Sequence, residues 1–118
     1  MIMDDMELKN KDIVKKVVQH CGWSYGVDVH DYIDYDKIVN FLTVCGWLNT
    51  TSITVKRLFK EAEQKAIFKD VRCTRLAGEK EINIKVSNFY IYGKDYNGGE
   101  VAYSILCIIY KNKRYYAY

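Results

Sequence analysis

Proline is absent from the sequence, histidine occurs only twice, and no apolar run is longer than a strand. A helix needs about 20 consecutive apolar residues to cross a bilayer, so the sequence predicts no membrane span. The first six residues are acidic and lack the basic region and apolar block of a signal peptide. We therefore expect an intracellular protein of the cytoplasm, or of the host cytoplasm if the source is a virus.

The sequence also lacks the common motifs of catalysis and phosphate binding. It contains no G-x-G-x-x-G, G-x-x-x-x-G-K-[ST], G-x-S-x-G or H-E-x-x-H pattern. Its four cysteines include no C-x-x-C pair, which disfavours a zinc site and favours buried free thiols. His20 precedes Cys21, but neighbouring helical side chains do not face each other. We expect no enzyme, no catalytic residue, no metal and no cofactor.

Four carboxylates and one imidazole are concentrated between residues 28 and 36. These groups are suitable ligands for hard cations, and the histidine adds a transition-metal option. The calcium-loop pattern D-x-[DN]-x-[DN]-G is not met, however. The alternative is a solvated loop in which Asp34 or Asp36 caps the next helix, and we favour it.

Apolar residues at three- and four-residue spacing predict helices over residues 9–20, 36–45 and 53–68. Gly22 and Gly46 are placed to close the first two helices in the left-handed conformation. The tripeptide Cys-Gly-Trp occurs after both, and we interpret it as two similarly built helix ends. Each Trp is expected to fold back on the helix that it follows.

After residue 68 the apolar period changes from 3.6 to 2, which predicts strands. The alternation shifts near Ser87-Asn88, which indicates a bulge or a break, and Asn97-Gly98 predicts a hairpin. Residues 101–110 are apolar on both faces, as in a central strand, and a turn at 111–113 precedes a last strand at 114–118. The prediction is one α+β domain over residues 1–118, with a helical part (1–68) and a three- to four-stranded antiparallel meander (69–118).

Charge is distributed unevenly along the chain. Residues 21–50 carry a net charge of −3 and residues 51–75 a net charge of +4. Two helices followed by a basic helix and a hairpin resemble a winged helix-turn-helix in their order, with the wing at 77–80. In that interpretation the DNA-binding residues are Thr51, Ser52, Lys56, Arg57, Lys60, Arg72, Arg75 and Lys80. A solvated lysine-rich face is the alternative.

Tyrosine is concentrated in the second half, where eight of the eleven lie at or after residue 90. Tyrosine is common in strands and also at protein interfaces, where it combines contact area with a polar tip. The last strand, rich in aromatic residues, is a candidate edge for a partner or a homodimer. The candidate interface residues are Tyr90, Tyr92, Tyr115, Tyr116 and Tyr118.

Two hypotheses follow from these patterns. The first is a small DNA-binding regulator with a winged-helix-like core. The second is an interaction protein of a phage or mobile element, of the anti-defence or anti-CRISPR type, that occludes a host protein or nucleoprotein complex. Its low-GC composition, with frequent Lys, Asn, Ile and Tyr, is compatible with such a source.

Overall fold

Three helices precede four strands in the computed structural model, which describes residues 5–23, 28–73 and 82–118. This confirms the predicted α+β class, with helices first and an antiparallel sheet second. The helices are α1 (Asp5–His20), α2 (Tyr35–Val44) and α3 (Ser52–Gln64). The strands are β1 (Lys69–Cys73), β2 (Ile82–Lys94), β3 (Glu100–Tyr110) and β4 (Lys113–Ala117).

The described strands form one sheet in the order β1-β2-β3-β4, which is a meander. β1 pairs antiparallel with the first part of β2, and Lys69 lies opposite Val86. β3 pairs antiparallel with β4, and Leu106 lies opposite Ala117. The central β3 is buried on both faces between Ile105 and Ile108, as its apolar sequence predicts.

Two of the three turns predicted in the sheet occur where the sequence indicated them, and the third, at 77–80, lies outside the described residues. Lys111 and Asn112 have φ angles of 50° and 61°, which is the two-residue type I′ geometry that matches strand twist. In the β2–β3 turn only Gly98 has a positive φ, 77°, and Asn97 does not. The Asp95 carboxylate holds this turn by accepting the backbone N–H of Asn97 at 2.9 Å.

The chain divides into two compact units. The first contains α1, the segment through Tyr32, β1, β2 as far as Ser87, β3 from Leu106, and β4. One stripe of α1 is buried against the sheet residues of this unit, which confirms the predicted amphipathic helix. Its core residues are Val14, Val17, Val18, Val29, Ile84, Val86, Leu106, Ile108, Tyr110, Tyr115 and Ala117.

The second unit contains α2, α3, β2 from Asn88 and β3 as far as Ile105. The two helices contact each other, and their buried faces meet the β2–β3 hairpin. The ring centroids of Phe59 on α3 and Phe89 on β2 are 5.5 Å apart. The buried apolar residues of this unit are Ile38, Leu42, Trp47, Val55, Phe59, Phe89, Ile91 and Ile105.

Both Cys-Gly-Trp tripeptides form the Schellman arrangement of backbone hydrogen bonds. Gly22 and Gly46 have φ angles of 93° and 91°, which an L side chain rarely adopts. The bonds run from Trp23 N–H to Val18 C=O (3.2 Å), Gly22 to Gln19 (3.0 Å), Trp47 to Leu42 (3.0 Å) and Gly46 to Thr43 (3.1 Å). The prediction of two similarly built helix ends is confirmed.

Three details differ from the sequence predictions. α1 begins at Asp5, four residues before the predicted start. α3 ends at Gln64, four residues before the predicted end, because its apolar stripe stops and Ile67 is exposed. Cys21 and Cys45 are exposed free thiols, and only Cys107 fits the predicted burial among the described side chains. Both exposed cysteines stand where a helix ends, so helical spacing no longer directs their side chains inward.

β2 is one unbroken strand through Ser87 and Asn88, so the predicted break does not occur. Val86 and Ser87 are both buried, although they are adjacent. Before them Ile84 is buried and Lys85 exposed, and after them Phe89 and Ile91 are buried while Asn88 and Tyr90 are exposed. Since successive side chains of a strand point to opposite faces, the apparent shift of phase is a change from even-numbered to odd-numbered buried side chains.

Candidate functional site

A groove of about 570 Å³ in the second unit lies between α3, the segment 47–50 and the end of β2. Its lining is mostly apolar, with a few polar side chains, as is typical of binding sites. The side chains that shape it are Trp47, Leu48, Thr54, Arg57, Leu58, Tyr92 and Lys94. Its volume is within the range of sites that hold small ligands or a few peptide side chains.

Close contact between Trp47 and Gly93 builds the base of this groove. Trp47 is 7% exposed, and a Cβ atom at Gly93 would overlap its indole ring. The neighbouring Leu48 donates its backbone N–H to the Lys94 carbonyl at 2.8 Å, and Trp47 forms a bridge with Asp95. Segment 47–50 is thereby fixed along one edge of β2.

We expect Gly93→Ala to lower the free energy of unfolding by about 1–3 kcal/mol, because the added methyl overpacks the Trp47 ring. Urea denaturation measures this change. In a Trp47→Ala background the same substitution should cost much less, since the overlapping ring is gone. An equal cost in both backgrounds would contradict the assigned contact.

Two side-chain hydroxyl groups form hydrogen bonds at the start of α3. Thr51 is the N-cap, and its side-chain oxygen accepts the Thr54 backbone N–H at 3.2 Å. The Ser52 hydroxyl donates to the Asp36 carboxylate of α2. The hydroxyls of Thr51 and Ser52, which were predicted to bind DNA, are therefore engaged within the protein, with a carboxylate beside them.

Replacing Thr51 with Ala should lower the free energy of unfolding by about 1 kcal/mol, since an orphan backbone N–H loses its acceptor. Thr51→Ser keeps the oxygen and should retain most of the stability. Thermal denaturation compares the three proteins. Equal melting temperatures for the Ala and Ser variants would show that the cap contributes nothing.

The predicted basic residues of α3 are exposed together on its outer surface. They are Lys56, Arg57 and Lys60. An Arg57 guanidinium nitrogen lies 3.5 Å from the Glu61 carboxylate, and Lys56 Nζ lies 5.9 Å from the centre of the Tyr35 ring. Burial, and secondarily the charge of Glu63, raises the Tyr35 pKa, so its hydroxyl stays neutral. Of the three basic residues, only Arg57 lines the groove.

The other basic residues predicted to contact DNA have no described side chains. The backbone of Arg72 lies in β1, while Arg75 and Lys80 lie outside the described residues. The predicted wing at 77–80 lies outside them as well.

The candidate interface tyrosines fall into two groups. Tyr90 and Tyr92 are exposed neighbours on β2 with ring centres 6.3 Å apart, in the second unit. In the first unit Tyr115 is 1% exposed and belongs to the core. Tyr116 exchanges both backbone hydrogen bonds with His30, at 2.6 and 2.9 Å, so the edge of β4 is covered there. Tyr118 contacts the His30 ring.

The four carboxylates of the acidic segment each have a different partner. Asp34 caps α2 by accepting the Lys37 N–H at 3.1 Å, which confirms the capping alternative. Asp36 accepts from Ser52, Asp28 lies 3.9 Å from Lys15, and Asp31 lies 3.1 Å from Lys113. In the described part of the chain, no group of three or more potential metal ligands occurs.

The hydrogen bond and charge of Lys113 lower the Asp31 pKa below its ordinary value of 3.8. A lowered pKa stabilises the fold above pH 3.8, and this contribution is lost as the pH falls through the folded value. The side chains of Lys113 and Asp31 are 41% and 34% exposed. Asp31→Asn should therefore lower the free energy of unfolding by less than about 1 kcal/mol at pH 7. Below the folded pKa the Asp31 side chain is neutral, like that of Asn. Urea denaturation there should therefore show no difference between the two proteins.

The sequence predictions missed the groove, because its walls come from distant parts of the chain. One local signal for it exists. Gly93 follows Tyr-Ile-Tyr inside a strand, and a glycine in a strand interior often marks a close approach by another group.

No protein-family model matches this chain, and neither characterised proteins nor solved structures show a significant similarity to it. The helices of the described ranges are too short or too polar to cross a membrane.

Proposed function

We propose that the chain is a non-enzymatic protein-binding module whose groove, between α3 and the end of β2, takes up a segment of a partner protein. The observation that carries the proposal is the mostly apolar groove, which the exposed Tyr92 lines and next to which Tyr90 is exposed, with the two ring centres 6.3 Å apart. Aromatic side chains at the border of an apolar groove are typical of protein interfaces.

Exposed apolar side chains of the second unit support this proposal. Val44 and Ile53 are 87% and 83% exposed, although burying a side chain of this size is worth about 1.5–3 kcal/mol. Large exposed apolar residues in the same unit also include Phe41, Leu48, Ile67 and Tyr96. Leu48 also lines the groove, so part of this exposed apolar surface lies at the proposed binding site. An inhibitor that occludes a host protein or nucleoprotein complex is one kind of protein that uses such a surface.

DNA binding is the second candidate, and the exposed Lys56, Arg57 and Lys60 on α3 favour it. The start of α3 favours it less. Its hydroxyls are engaged in capping, and Asp36 places negative charge where a helix dipole would attract phosphate. We therefore rank DNA below a protein partner.

The test compares two charge reversals on one helix. Arg57 lines the groove and Lys60 does not, although both are exposed. Random peptides displayed on phage are selected against the full chain, and the enriched peptide is then synthesised and titrated. We expect Arg57→Glu to weaken peptide binding at least about tenfold and Lys60→Glu to leave it nearly unchanged.

A gel shift with random duplex DNA completes the experiment. If both reversals weaken salt-dependent DNA binding equally and no peptide is enriched, the second candidate is correct and the first is wrong. Circular dichroism of each variant shows whether the fold is retained.

A further inference from the structure

One edge of β2 presents unused backbone groups beside the groove. The Lys94 carbonyl accepts the Leu48 N–H on the edge away from β3, whereas Asp95 donates its N–H to Gly99 on the β3 side. In an antiparallel sheet successive residues direct their N–H and C=O groups to opposite edges. Tyr92 and Tyr90 therefore direct theirs to the same edge as Lys94.

In the described ranges this edge has no strand partner alongside Tyr90 and Tyr92. In the described residues the pairing of β1 with β2 ends at Val86, and the backbone of segment 47–50 pairs with β2 at Lys94 and Asp95. Unpaired edges of this kind readily accept another strand. α3 forms the opposite wall of the groove through Thr54, Arg57 and Leu58, so an added strand would lie between helix and sheet.

The charges at the groove indicate the chemistry of its occupant. Arg57 and Lys94 both line it. An Arg57 guanidinium nitrogen lies 3.5 Å from the Glu61 carboxylate, but both side chains are more than half exposed, so an acidic partner can compete for Arg57. The Asp95 carboxylate is directed into its own turn, where it accepts the N–H groups of Asn97 and Gly99 at 2.9 and 2.8 Å. Leu58 and Tyr92 also line the groove, and their apolar surface favours an aliphatic side chain.

We propose that the edge of β2 at Tyr90 and Tyr92 binds an extended acidic segment of a partner protein as an added antiparallel or parallel strand. Main-chain hydrogen bonds would supply affinity, while alternate side chains facing Arg57 and Leu58 would supply specificity. This inference rests on the proposed function, because it assigns the mode and the charge of binding at the same groove.

The test uses the peptide recovered by phage display, synthesised with single N-methyl groups along its length. N-methylation removes one backbone donor, so affinity should fall at least about tenfold at every second position of the bound core and little between. Replacing the acidic residues of the peptide with lysine should also lower the affinity at least about tenfold. Hydrogen exchange followed by NMR should show new protection of the Tyr90 and Tyr92 amides.

A protein variant tests the same edge. Tyr90→Pro removes the outward N–H without removing a bond to β3, and Tyr90→Thr keeps that N–H in a good strand former. We expect the Pro variant to lose the peptide and the Thr variant to retain most of its affinity.

The outcomes separate the two proposals. If peptides bind in the groove but N-methylation does not weaken them, or if the selected peptides are basic, strand addition of an acidic segment is wrong. The proposed protein-binding function is still supported in that case. Enrichment of no peptide, with binding of duplex DNA or with self-association of the chain through this edge, overturns both.

Discussion

Contact between the Trp47 indole and the bare backbone of Gly93 is the constraint on which the second unit depends. At the Schellman end of α2 the Trp47 backbone N–H bonds back to Leu42, but its ring packs on Gly93 of β2, whereas the sequence predicted packing on the preceding helix. Glycine is the only kind of residue that leaves room for the ring there. The contact places segment 47–50 along β2, and Leu48 is then close enough to donate to Lys94. The contact between Trp47 and Gly93 therefore both completes the core of the second unit and forms the groove.

Polar side chains near the helix starts are largely used by the fold itself. Asp34 and Thr51 cap α2 and α3, and Ser52 joins the two helices through Asp36. The groove itself offers apolar surface, the backbone edge of β2, Lys94, and Arg57 in an exposed ion pair with Glu61. Such a set suits the recognition of a polypeptide, which offers backbone donors and acceptors together with side chains of either kind.

Sequence periodicity predicted most of the fold because it reflects local geometry. Gly22 and Gly46 ended two helices, and the turns at Asn97-Gly98 and Lys111-Asn112 followed from residues that tolerate positive φ angles or cap turns. The groove was not predictable in this way. Whether Arg57 faces a groove or plain solvent depends on where β2 lies, and a charge pattern on one helix carries no information about a distant strand.

The alternation of side chains beyond Ser87 links the fold to the proposed binding edge. In this part of β2 the odd-numbered Phe89 and Ile91 are buried, and the even-numbered Tyr90 and Tyr92 are exposed. Phe89 meets Phe59 in the core of the second unit, which fixes the register of the strand there. Because side chains alternate between the two faces, a slip of one residue would expose Phe89 and Ile91 and bury the two tyrosines. Such a slip would invert the chemistry of the proposed site while leaving the composition of the strand unchanged.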